Sequence, residues 1–219
     1  MDMTFIAPRT AATAVALTAL FVAAPVAGAQ KPPKGETPGA SDPSANASAT
    51  GCGYTGTTVF SAWNDKRGYT LTPDGGFEGG AAGWTLAGGA TVAEGNETFQ
   101  AGGPADHQSL GLPAGSSATS PAICVAKHEG IARLFARTDG GHKSRLKVEV
   151  LYANGSRGKT TKLRAGDAWA PTRKLGVALG RGKGKGKLTT ASITLRFTPI
   201  GEPAAWQIDD VFIDPRLRH

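Results

Sequence analysis

Helical periodicity is what this sequence has least of. No window repeats apolar residues at the three- and four-residue spacing of an amphipathic helix, and 31 glycines interrupt any long helical stretch. A helical bundle is thereby excluded. Aromatic residues are scarce, at 7% of the chain, so most are needed for packing and few are left for ligand contact. The common catalytic motifs are missing: there is no Gly-x-Ser-x-Gly, no His-Glu-x-x-His and no Cys-x-x-Cys. His107, His128, His142 and His219 have no regular spacing. On these grounds the chain is expected not to be an enzyme. No motif for specific nucleic-acid recognition is found either.

Cysteine is reduced to two residues, Cys52 and Cys124. An even pair in an exported protein reads as one disulfide, which would close a loop worth roughly 4 kcal/mol on chain-entropy grounds; two buried free thiols are the alternative. Export is itself expected from the first residues. Arg9 supplies a basic start, Thr10–Val26 is an Ala/Leu/Val/Phe run, and Ala27-Gly28-Ala29 has the small-x-small form of a cleavage site. Residues 1–29 are therefore read as a signal peptide, leaving a secreted chain without a membrane span. Residues 30–51 hold Pro, Gly, Ser, Ala and Lys with no large apolar side chain, so they are expected to form a disordered linker. The folded domain is placed at residues 52–219.

Charge is uneven. The formal net charge is +7, and from Lys127 to Arg196 there are 17 basic against 4 acidic residues. The densest run is Arg181, Lys183, Lys185 and Lys187, alternating with glycine between two candidate strands. Such a loop tip would attract phosphate or carboxylate polymers, or simply be a solvated turn.

What remains is a series of short strand patterns separated by Gly-rich turns. Thr57–Ala62, Tyr69–Leu71, Ala90–Ala93, Ser109–Leu112, Thr119–Val125, Ile131–Arg137 and Leu146–Tyr152 come first. Lys159–Leu163, Thr172–Leu179, Ser192–Phe197 and Trp206–Asp214 follow. Leu146–Tyr152 alternates most cleanly, and Asn154-Gly155 after it predicts a two-residue hairpin to Lys159–Leu163. In Trp206–Asp214, Trp206, Ile208 and Phe212 are expected on one face and Val211 and Ile213 on the other. So many short strands argue an all-β, antiparallel β-sandwich. Asp209 and Asp210 break the apolar closing strand and need partners, which are expected near Asp74–Glu78.

Those residues carry a resemblance. The run from Tyr69 to Trp84, with Gly76-Phe77-Glu78 and Gly83-Trp84, resembles the opening of galactose-binding-like jelly rolls, among them many carbohydrate-binding modules. Trp169 before a strand and the closing Ile208-Asp209-Asp210-Val211 resemble their later motifs. Cys52–Trp63 and Ser109–Val125 also resemble conserved secreted proteins of actinobacteria. The resemblance implies a jelly-roll sandwich with a structural calcium held by Glu78 and Asp209, with Asp74 or Gly76 as further ligands. It implies Phe77, Trp84 and Trp169 in the core. Trp63, Tyr69, Tyr152 and Trp206 are the candidate sugar-stacking aromatics. The function expected is a secreted, non-catalytic and monomeric binding module for an extracellular glycan or anionic envelope polymer. The alternative is a structural or interaction protein of the cell surface with no sugar site.

Overall fold

In the computed structural model, Cys52 and residues 56–126, 130–177 and 190–214 are described. The expected signal peptide, the linker and the basic loop Arg181–Lys187 lie outside the described residues. Along the chain the strands are β1 (Thr70–Leu71), β2 (Thr85–Ala87), β3 (Thr91–Glu94), β4 (Gln108–Leu112), β5 (Ser117–Thr119) and β6 (Ile123–Ala126). They continue with β7 (Ile131–Thr138), β8 (Arg145–Tyr152), β9 (Arg157–Leu163), β10 (Ala170–Pro171), β11 (Leu175–Gly176), β12 (Thr190–Ile200) and β13 (Trp206–Asp214).

These strands form two antiparallel sheets among the described residues. The first runs β10-β7-β13-β4-β3, with β1 added to β13 and β11 to β7; the second runs β2-β5-β12-β8-β9, with β6 added to β12. The alternation in β8 is used as the sequence suggests. Leu146, Val148 and Val150 point inward with Ile193, Leu195 and Phe197 of β12, and Lys147 and Glu149 point outward. The first sheet answers with Leu110, Leu112, Leu134, Trp206 and Ile208. Phe77 and Trp84 join the same core, their rings 5.0 Å apart, with Phe197 6.0 Å beyond. Their expected burial is what the structure has.

Three local expectations change. Val59, Phe60 and Trp63 make Thr57–Ala62 look like a strand, but the segment makes one bridge, Thr57 to Tyr69, and then a 3-10 turn at Ser61–Trp63. Its rings are drawn down onto a sheet face, which an extended edge strand would not allow. The β8–β9 hairpin turns over three residues, with Tyr152 N–H donating to the Ser156 carbonyl and Gly155 at φ 76°. In β13 a bulge falls between Asp209 and Phe212, with Asp210 at φ 50°. One extra residue reverses the faces: Trp206, Ile208, Val211 and Ile213 all enter the inter-sheet core, and Phe212 faces out.

That outward face is not bare. Phe212, Phe135 and Trp169 form a second apolar cluster with Phe60 and Tyr69. The stacked rings of Phe60 and Phe135 are 5.5 Å apart. So residues 57–69 pack on the outer face of the first sheet around Phe135 and Phe212. Cys52 is disulfide-bonded to Cys124 on β6 of the other sheet, with Cα atoms 5.5 Å apart. No helix among the described residues is long and apolar enough to cross a membrane.

Candidate metal centre and ligand face

The bulge in β13 builds the first site. Its extra residue turns the Asp210 carboxyl towards the loop between β3 and β4, where Glu97 and Asp106 face it; oxygens of the three lie within 4.8 Å of one another and all three residues are buried. Glu97 is fixed by two backbone amides, those of Phe99 and Ala101. Among the described residues, none of the four oxygens of Asp106 and Asp210 receives a hydrogen bond of normal geometry. Burial raises the Asp210 carboxyl to about 7, and the charges of Asp106 and Glu97 add to the rise. Burial likewise raises Asp106 to about 6, partly offset by Asn96 and reinforced by Glu78 and Glu97.

Glycine lets the backbone close around this group. A Cβ on Gly102 would sit 2.7 Å from Asp210 Oδ1 and 2.9 Å from Asp106 Oδ2. One on Gly76 would sit 3.2 Å from Asp210 Oδ1. Four buried carboxylate oxygens with only the weak polar contacts of Asn96 and the Gly102 amide beside them are costly unless something positive is shared between them. The chemistry of the set suits a hard divalent cation that takes six to eight oxygens.

The carboxylates expected to hold a metal are mostly engaged with amides. Asp209 Oδ2 accepts from Glu97 N–H at 2.9 Å and its Oδ1 from Asp210 N–H at 2.8 Å. Burial pushes Asp209 up to about 9, the Glu97 amide works against that, and the Asp210 charge adds to it. Asp74 accepts from Gly79 and Ala82 N–H at 2.8 and 2.5 Å. Glu78 accepts from His107 and Gln108 N–H at 2.8 and 2.6 Å and borders the cluster beside Asp106. The expected neighbourhood does meet β13, through Val211 N–H donating to the Gly75 carbonyl at 2.9 Å. Glu97 and Asp106 were missed. They lie in a loop with no strand pattern, and only its clustered glycines distinguish it.

The second site is on the outer face of the first sheet. Strand register sets Thr91, Gly111, Gln207 and Arg137 in a row across β3, β4, β13 and β7. Gly111 has no side chain, so the row dips into an open hollow of about 480 Å³, rimmed by Asp139 and Asp167. Arg137 Nε donates to Gln207 Oε1, and its guanidinium lies 5.2 Å from the Trp169 ring. Two residues earlier on the same face, Phe135 carries an aromatic shelf. Trp63 and Phe99 meet edge to face at 4.9 Å and each packs on Phe135, at 5.6 and 5.5 Å. Phe99 is 46% exposed and Trp63 half-buried.

No family model and no curated protein matches this chain. Solved structures similar to it include a family-61 carbohydrate-binding module in complex with β-1,4-galactotriose, at 11% identity and TM-score 0.44, covering 67% of this chain and 98% of that one. Another is the family-22 xylan-binding domain from Paenibacillus barcinonensis, at 17% identity and TM-score 0.42, covering 75% and 98%. A third is the Clostridium thermocellum xylanase structure with family-22 and catalytic modules complexed with xylohexaose, at 18% identity and TM-score 0.43. It covers 64% of this chain, which spans only 27% of that protein. Each of these three is a carbohydrate-binding module or a protein that contains one. The sandwich itself rests on the strand pairing of this chain.

Among the candidate stacking aromatics, only Trp63 reaches this face with surface to offer. Tyr69 and Trp206 are fully buried; Tyr69 O–H donates to Asp65 Oδ2 at 2.9 Å and Trp206 Nε1 to Ser144 Oγ at 2.7 Å. Tyr152 is half-buried against the inter-sheet core on the opposite sheet. The sequence reading did not single out Phe99, Arg137 or Gln207. Arg137 and Gln207 meet only through β7–β13 pairing, which local patterning does not specify.

Proposed function

We propose that the chain is a secreted, non-catalytic module that binds an extracellular carbohydrate on the outer face of its first sheet. The observation that carries this is the hollow beside the Trp63–Phe99 shelf. A sugar ring offers an apolar face to an aromatic and hydroxyls around its edge. Here Phe99 and Trp63 supply the aromatic surface, and Arg137, Gln207, Asp139 and Asp167 supply donors and acceptors. Arg137 is held by both Gln207 and Trp169, so its donors are oriented before a ligand arrives. A glycan array probed with the folded domain tests this reading. Retention of a defined glycan class is expected, and retention lost in Trp63→Ala supports the face. A chain that retains no glycan would instead be a structural or interaction protein of the cell surface, a role the burial of Tyr69 and Trp206 is compatible with.

The same reading gives the acidic centre a structural calcium, held by Asp106, Asp210 and Glu97. Asp209 would act by positioning, since it accepts the amides of both Glu97 and Asp210. The ion would supply charge compensation for buried carboxylates and tie the β3–β4 loop, which carries Phe99, to β13. In this way the centre would hold one half of the aromatic shelf in place.

A further inference from the structure

A second hollow, of about 270 Å³, opens where the two sheets come together at one edge, lined by Lys162, Leu163 and Arg164 at the end of β9, by Pro171 of β10 and by Thr172 and Arg173 after it. Three of its six lining residues are cations, and all three are exposed. Among the described residues, two buried acids near this edge are already engaged, while the exposed Asp167, between Arg164 and Arg173, is in no ion pair. Asp65 is paired with Arg133 and Lys174, and Glu149 with Lys147 and Arg157. Lys162, Arg164 and Arg173 take part in none of these ion pairs; Arg173 only donates to the Lys162 carbonyl, at 3.3 Å. That bond brings its guanidinium to the backbone of Lys162. Strand register puts Lys162 directly opposite Lys147, whose own charge is met by Glu149 at 3.0 Å, so Glu149 does not serve Lys162 alone. The segment from Leu163 to Arg173 borders both hollows, since Asp167 rims the larger one and Trp169 lies under Arg137.

We infer that Lys162, Arg164 and Arg173 form an oxyanion subsite for an acidic polysaccharide, separate from the sugar face and reading the charged substituent of the polymer. Arg164 and Arg173 offer planar forks that match a carboxylate or phosphate, and Lys162 adds a point charge. The shared ligand chemistry is a repeated oxyanion on a glycan backbone, from uronate carboxylates or from phosphodiesters. This inference deepens the glycan reading and rests on it for the polymer's class, but its residues are distinct, so the two fail separately.

The test is affinity electrophoresis and calorimetry with polygalacturonate, poly(glycerol phosphate), neutral β-1,4-galactan and single-stranded DNA. The variant Lys162→Ser/Arg164→Ser/Arg173→Ser is compared with a control of equal charge loss, Lys66→Ser/Lys143→Ser/Arg196→Ser. The subsite predicts binding of at least one acidic polymer that falls about ten-fold in the notch variant, with a shallower salt dependence, while the control stays near wild type. Preference for polygalacturonate assigns the carboxylate source, and preference for poly(glycerol phosphate) the phosphate source. Equal losses in both variants, no acidic polymer bound, or DNA bound more tightly than either acidic glycan would overturn it. Galactan binding lost in Trp63→Ala but unchanged in the notch variant would support a subsite separate from the sugar face. Absence of all glycan binding would remove the sugar face and the subsite together, whereas galactan binding alone would remove only the subsite.

Discussion

Asp65 shows how one residue holds the segment that carries Trp63. Its carboxylate accepts Tyr69 O–H, pairs with Arg133 at 3.1 Å and with Lys174 at 3.2 Å, and Arg133 in turn lies 4.2 Å over the Phe60 ring. Burial alone would raise this carboxyl, but the Tyr69, Lys174 and Arg133 interactions outweigh it and leave its pKa below the ordinary value. A depressed folded-state pKa means stability that is present above the unfolded-state value and lost as pH falls through the folded one. Asp65→Asn should therefore destabilise the domain by about 3 kcal/mol at neutral pH, as for a broken buried ion pair. The deficit should shrink as pH falls below the ordinary carboxylate value, about 3.9, where the unfolded chain takes up the proton before the folded one does. Denaturant unfolding of both proteins at several pH values checks this; a deficit independent of pH would contradict it.

Asp210 gives a second residue-scale outcome with a change of sign. Without a divalent ion, Asp210→Asn removes like-charge repulsion within the centre and should raise the melting temperature. With calcium present it removes a ligand and should lower it. Thermal melts with chelator and with calcium decide the matter, and the same sign under both conditions would remove calcium from the centre. In the sequence, Asp209 and Asp210 stood out as acids in an apolar strand, and that was legible. Which of the two would reach the cluster was not, because the answer depends on a bulge. Alternating Val211, Phe212 and Ile213 fit either face until the extra residue is placed.

At the scale of elements, the N-terminal segment is fixed from both sides. Phe60, Trp63 and Tyr69 pack on the first sheet, and the Cys52–Cys124 bond ties the same segment to β6 of the second. The bridged residues are 72 apart in sequence, a loop for which chain entropy gives roughly 4 kcal/mol. Cys52→Ser/Cys124→Ser should lower the melting temperature by roughly 10 °C and speed amide exchange in residues 57–69 before the core strands. Exchange that speeds uniformly would mean that the segment and the sandwich open as one unit. Strands with one buried and one solvent face, such as β8 and β12, could be read from alternation alone. Residues 57–62 could not, since the adjacent Val59 and Phe60 both pack on the sheet face while Thr57, Thr58, Ser61 and Ala62 are exposed, and a turn lying on a sheet imitates the pattern of a strand. β2 was missed for the opposite reason: Thr85–Ala87 is three residues long and places only Leu86 against the core.

For the whole molecule, two sheets enclose one core, and the outer face of the first sheet is the surface proposed to bind the ligand. Residues 57–69 pack on part of that face and the row Thr91, Gly111, Gln207 and Arg137 lines an open hollow on it. The sandwich was legible because its evidence is distributed over many strands. The ligand face was not, because it is assembled from four strands and a loop that are remote in sequence. The most direct measurement is calorimetric titration of the best array glycan into wild type, Arg137→Ala and Trp63→Ala/Phe99→Ala. The account predicts micromolar to millimolar binding by wild type, at least a ten-fold loss in each variant, and melting curves that stay cooperative in both. A glycan bound equally well by all three proteins would place the site elsewhere and contradict the account.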